Sequence, residues 1–203
     1  MAEIIMPNLN FIHGGLPHRQ YIKEAWIKCW NDPQKDILSV LVLMDNTAGL
    51  AFVLWNHYAL QKMGKYEEAL LSAYIGTRTN FSNYSMDDIR FLFNIADKEK
   101  LRAAGEPMPK QESFTVYRGV SGRASKRRVN GFSWTESPNT AAWFAKRFNL
   151  EDPAVFTVTV PMYSILARVT DRNESEYLLE LPLPVKPKRL KVMPEPCLPR
   201  DKK

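Results

Sequence analysis

The feature that most constrains this chain is a change of hydrophobic period at Gly105-Glu106-Pro107-Met108-Pro109. Upstream, apolar residues recur at helical spacing; downstream they alternate, with the two-residue period of strands. Residues 17–30 carry Tyr21, Ala25, Trp26 and Trp30 at helical spacing and stop at Asn31-Asp32-Pro33. Residues 37–63 are long and apolar, with a break near Asp45-Asn46; the run 40–44 could form a buried strand on propensity alone, but the stretch from Ala48 to Met63 favours helix. A shorter helix is predicted over 65–74. Ser85 then caps another, with acids in its first turn and Ile89, Leu92, Phe93 and Ala96 on one face, running toward Ala104-Gly105. Trp26, Trp30 and Trp55 read as core or packing residues.

After the boundary, 114–120, 131–135 and 154–160 read as strands. Residues 163–169 read as a short helical turn or a strand, and 190–193 as the last strand. Helices first and strands second give an α+β protein, one compact unit in preference to two independent domains. Residues 1–108 are expected to form a helical N-terminal region packed on a β core over 109–195, with an extended tail at 196–203.

At 203 residues the chain is long enough for one domain with a helical extension. Cys29 and Cys197 lie far apart, and His13, His18 and His57 form no ligand cluster, so no metal is expected. The absence of a run of about 20 apolar residues argues against a membrane span. With no basic, apolar signal segment at the start and little cysteine, a cytoplasmic location is expected, in the producing or a target cell. The net charge of +6 is uneven. Residues 1–100 carry 10 Lys and Arg against 11 Asp and Glu, whereas 101–203 carry 18 against 11. Two clusters dominate, at 123–128 and 186–191. They are a solvated surface or the track of a polyanion such as RNA.

Three short segments carry the chemistry. Phe114-Thr115-Val116-Tyr117-Arg118-Gly119-Val120 is a strand ending in Arg-Gly. An Arg there can offer a planar fork to phosphate, and the Gly lets a ligand approach the backbone. Gly131-Phe132-Ser133-Trp134-Thr135 sets two hydroxyls on one strand face, before Ser137-Pro138 opens an Ala-rich helix. Asn173-Glu174-Ser175-Glu176-Tyr177 brings two carboxylates, two residues apart, to the mouth of an apolar run. Paired carboxylates suit cleavage of a glycosidic bond, where positive charge develops on a sugar carbon.

Arg118, then Ser133-Trp134-Thr135, then Glu174-Ser175-Glu176, in that order, resembles the mono-ADP-ribosyltransferases of the Arg-Ser-Glu class, the small prokaryotic and phage members above all. The resemblance covers roughly residues 113–193. It implies a split β-sandwich core preceded by a helical region, with NAD as co-substrate and no metal. By the same resemblance Glu176 stabilises the sugar cation, and Arg118 binds the NAD phosphates. The backbone of Gly119 meets the nicotinamide amide. Ser133 orients Glu176, Thr135 supports the strand or meets the ribose, and Glu174 deprotonates or orients the acceptor. A Glu two residues before the catalytic Glu favours a protein arginine as acceptor.

The absence of an aromatic in the loop 169–173 keeps RNA open as acceptor. An NAD glycohydrolase using water, or a basic nucleic-acid-binding module without catalysis, are the other readings. A toxin, effector or phage–host conflict role, with an inhibitory antitoxin or immunity partner, follows from the resemblance alone.

Overall fold

A computed structural model of the chain describes residues 3–32, 34–44, 48–77, 84–123, 128–170 and 175–197. The chain divides into two compact units, residues 1–104 and 105–203. It is a mixed α+β protein in which the described residues form seven α-helices and one six-stranded antiparallel sheet.

Among the described residues, the regular elements of the first unit are all helices. Helix α1 (Leu16–Asn31) buries Ile22, Trp26 and Cys29. The Trp26 indole N–H donates to the Ile5 carbonyl at 2.8 Å, and its ring meets Phe52 edge-on. The run with strand propensity is helical: α2 (Leu38–Val42) starts where the Asp36 carboxylate accepts the Leu38 N–H at 2.8 Å. Helix α3 (Gly49–Lys62) buries Gly49, Phe52, Val53, Asn56, Ala59 and Leu60, a stripe at i, i+3, i+4 and i+7 spacing, with Leu50 buried beside it. Trp55 lies off that stripe and is 59% exposed, which corrects its reading as a core residue.

Helix α4 (Tyr66–Gly76) follows, then α5 (Met86–Asn94). Ser85 and Asp88 form a reciprocal capping box at the start of α5. The helix expected to run on toward Ala104 stops instead. The Asp97 N–H donates to the Glu67 carboxylate at 2.9 Å, while the Asp97 carboxylate accepts the Glu99 and Lys100 N–H groups and starts α6 (Lys98–Ala104).

The second unit is the sheet with one helix on it. Strand β1 (Ser113–Val120) is central; β2 (Ser133–Thr135) and β3 (Ala154–Pro161) flank it. The order across the sheet is β4-β5-β2-β1-β3-β6, with β4 (Ile165–Val169), β5 (Glu176–Leu179) and β6 (Lys188–Arg189). Residues 162–164 form a 3-10 turn leading into β4, so the 163–169 segment is both turn and strand. The last strand falls two residues before the predicted 190–193. Leu190 and Met193 instead pack against Ala141, Ala142 and Val155.

Helix α7 (Pro138–Lys146) covers that face of β1 and β3. The opposite face carries the larger core, built from Phe114, Val116, Trp134, Val158, Val160, Ile165, Tyr177 and Leu179. Each strand serves both faces by alternation.

Candidate functional site

The three motif segments lie on three adjacent strands, β5-β2-β1. Thr135 is the hinge of the arrangement. It stands opposite Tyr117 of β1 on one side and Glu176 of β5 on the other. Residues in direct register share a face, so Glu176, Thr135 and Tyr117 project from the side on which α7 packs. Ser133, two residues from Thr135, projects from that side too, opposite Leu178. Glu176 and Ser133 are half-buried and Thr135 is buried. The structure therefore brings together Ser133, Thr135 and Glu176. Glu174 lies outside the described residues.

The hydroxyl of Thr135 has a local duty. It accepts the Ser137 N–H at 3.2 Å, and Ser137 in turn accepts the Thr140 N–H at 3.1 Å to cap α7. Two hydroxyls thus lock the exit of β2 to the first turn of the helix.

Arg118 is placed differently. One residue beyond Tyr117, it projects from the other face of β1. Its Nε donates to the Arg128 carbonyl at 3.1 Å, and Nη1 donates to the Ser133 carbonyl. Gly131 makes room for the guanidinium: a Cβ there would sit 2.4 Å from Nη2. Arg118 and Glu176 stand two strands apart, about 10 Å in backbone terms, and on opposite faces.

Gly119 projects toward α7. A Cβ at this position would lie 1.7 Å from the Ala141 carbonyl oxygen and 2.7 Å from the Ala145 nitrogen. The missing side chain lets the backbone of α7 press on the strand.

A polar cluster beside the site is absent from the sequence reading. The Tyr177 hydroxyl donates to the Glu136 carboxylate at 3.1 Å, and the Glu136 N–H donates to the Ser175 carbonyl. Arg168 stands opposite Tyr177 across β4–β5 and donates to the Pro107 carbonyl at 3.0 Å. Burial and the neighbouring Glu136 carboxylate push the Tyr177 hydroxyl above its ordinary value, against an opposing pull from Arg168. Glu136 thereby holds residues 175 and 177, on either side of Glu176. The available signal was alternation: Tyr177 and Trp134 had to face away from Glu176 and Thr135, and Glu136 continues the Trp134 side.

Among the described residues no group of three His, Cys, Asp or Glu side chains could hold a metal ion, and no helix is long and apolar enough to cross a membrane. No protein-family model, curated protein or solved structure matches the chain.

Proposed function

We propose that this protein is an NAD-dependent mono-ADP-ribosyltransferase, its sheet the core of an ADP-ribosyltransferase-like split β-sandwich. One observation carries the reading: the Arg, Ser-x-Thr and Glu motifs fall on adjacent strands, with Thr135 in direct register with Glu176. In this reading the Glu176 carboxylate accepts a hydrogen bond from the ribose 2′-hydroxyl and stabilises the positive charge developing on the sugar carbon. The bond between that carbon and the nicotinamide nitrogen breaks, and its electron pair leaves with the nicotinamide. The acceptor nitrogen forms the new bond and gives up its proton, the step assigned to Glu174.

Ser133, on the same face as Glu176, orients the carboxylate. Arg118 contributes by fixing the β1–β2 edge through the Ser133 carbonyl, and the further N–H groups of its guanidinium serve the NAD phosphates. The favoured acceptor is a protein arginine, and the setting a cytoplasmic toxin or phage–host conflict effector held by an inhibitory partner.

The test is transfer from NAD labelled on its adenylate phosphate into a bacterial lysate, with Glu176→Gln alongside. The expected result is macromolecular label that protease removes, ribonuclease leaves, and Glu176→Gln lacks. Loss to ribonuclease moves the acceptor to RNA, and free nicotinamide without label makes water the acceptor. Equal turnover by Glu176→Gln, or none by either protein, overturns the proposal.

A further inference from the structure

The second unit carries an exposed surface of cations and aromatic rings that the transfer reaction does not use. Its centre is the end of α7. The Arg147 guanidinium lies over three rings at once, 4.8 Å from Phe148, 5.6 Å from Trp143 and 6.0 Å from Phe144. Phe148 itself is 60% exposed. Two ion pairs join this centre to its neighbours through the loop that follows α7. Glu151 pairs with Arg123 beyond β1 at 3.0 Å, and Asp152 pairs with Arg189 of β6 at 2.8 Å. The Leu190 N–H donates to the Val155 carbonyl, and Leu190 and Met193 pack beside α7 against Ala141 and Ala142. The segment bearing Lys188 and Lys191 therefore runs along the same side.

Both acids of the loop after α7, Glu151 and Asp152, are matched by arginines. Lys146, Lys188 and Lys191 are exposed and make no ion pair among the described residues. A surface with spare cations and an open aromatic–guanidinium stack is complementary to a chain that has phosphates along it and flat rings free to stack. An acidic peptide would use the cations but leave Phe148 without a role, and a duplex hides its base faces.

We propose that the α7 end, the loop after it and the β6 segment form a binding surface for single-stranded nucleic acid. Bases stack on Phe148 and the Arg147 plane, and Lys146, Lys188 and Lys191 hold phosphates. The site is separate from Glu176 and needs no NAD.

The experiment is fluorescence anisotropy of the full chain with a labelled 12-nucleotide single-stranded RNA, titrated at several salt concentrations. Duplex RNA of the same length and a poly-glutamate peptide serve as competitors. The single strand is expected to compete best. Changing Lys146, Lys188 and Lys191 together to Ala should lower the log–log salt slope by about 2, at about 0.7 per phosphate contact. Phe148→Ala should weaken binding about tenfold and leave the slope unchanged. Glu176→Gln should bind like the unchanged protein, so failure of the transferase reading does not touch this one. Equal competition by poly-glutamate, stronger binding of duplex, or full affinity in Phe148→Ala overturns the proposal. Lys146, Phe148, Lys188 and Lys191 are exposed, and circular dichroism checks that each variant folds.

Discussion

Glu176 opens β5 directly across from Thr135 of β2, and that pairing sets its backbone beside the residue whose hydroxyl accepts the Ser137 N–H at the capped start of α7. The register makes Thr135 a positioning residue with a measurable duty. Thr135→Val keeps the shape of the side chain but leaves the Ser137 N–H without its acceptor. The expected cost is about 1 kcal/mol in urea unfolding and a modest drop in NAD turnover. Glu176→Gln should instead leave stability nearly unchanged and lower turnover by at least about a hundredfold. Equal stability loss in the two variants would make Glu176 a structural residue.

Gly119→Ala tests whether this glycine serves packing. The added carbon would lie 1.7 Å from a main-chain oxygen, which no rotamer change relieves. Overpacking against backbone should destabilise the second unit by about 3 kcal/mol or more. Thermal unfolding followed by near-ultraviolet circular dichroism reads this directly. A Gly119→Ala protein that unfolds at the same temperature would return the glycine to the ligand.

Arg118→Lys separates the structural from the phosphate-binding role of this residue. A lysine keeps the charge but cannot hold the Arg128 and Ser133 carbonyls with two donors of one rigid fork. A loss of roughly 1–3 kcal/mol is expected in unfolding experiments without NAD. Unchanged stability with a raised KM for NAD would show that the guanidinium serves the co-substrate alone.

Local signals were readable in this chain, and long-range ones were not. The Ser137-Pro138 helix start and the alternation of residues 154–160 depend on neighbours within a few positions, and both stand in the structure. The stop between α5 and α6 depends on Glu67, thirty residues before Asp97, so the continuous apolar pattern concealed it. Trp55 misled because α3 is apolar nearly all round, which leaves its buried face undetermined by sequence. The motif order Arg, Ser-x-Thr, Glu fitted adjacent strands. The opposite facing of Arg118 and Glu176 follows from register across β1, β2 and β5, which no single strand encodes. Gly119 shows the same limit: its partner, Ala141, lies on another element.

Two tyrosines give the protein an alkaline limit, one in each unit. Tyr66 is fully buried and donates to the Leu92 carbonyl at 2.8 Å; burial, then the adjacent Glu67, raises its pKa far above the ordinary value of 10.0. Tyr177 is raised by burial and then by Glu136. A raised folded pKa means that the native state keeps a proton the unfolded chain releases. The stability this contributes is whole below about pH 10 and is lost progressively as pH rises above it. The urea midpoint should therefore be insensitive to these groups from pH 7 to about pH 9 and fall beyond about pH 10. Tyr66→Phe should lower the plateau by about 1–2 kcal/mol, because the Leu92 carbonyl loses its donor, and should flatten the alkaline fall of the helical unit. Tyr177→Phe should flatten the fall of the sheet unit less, since Arg168 already opposes the shift. An alkaline slope identical in the parent and both variants would show that neither hydroxyl sets the limit.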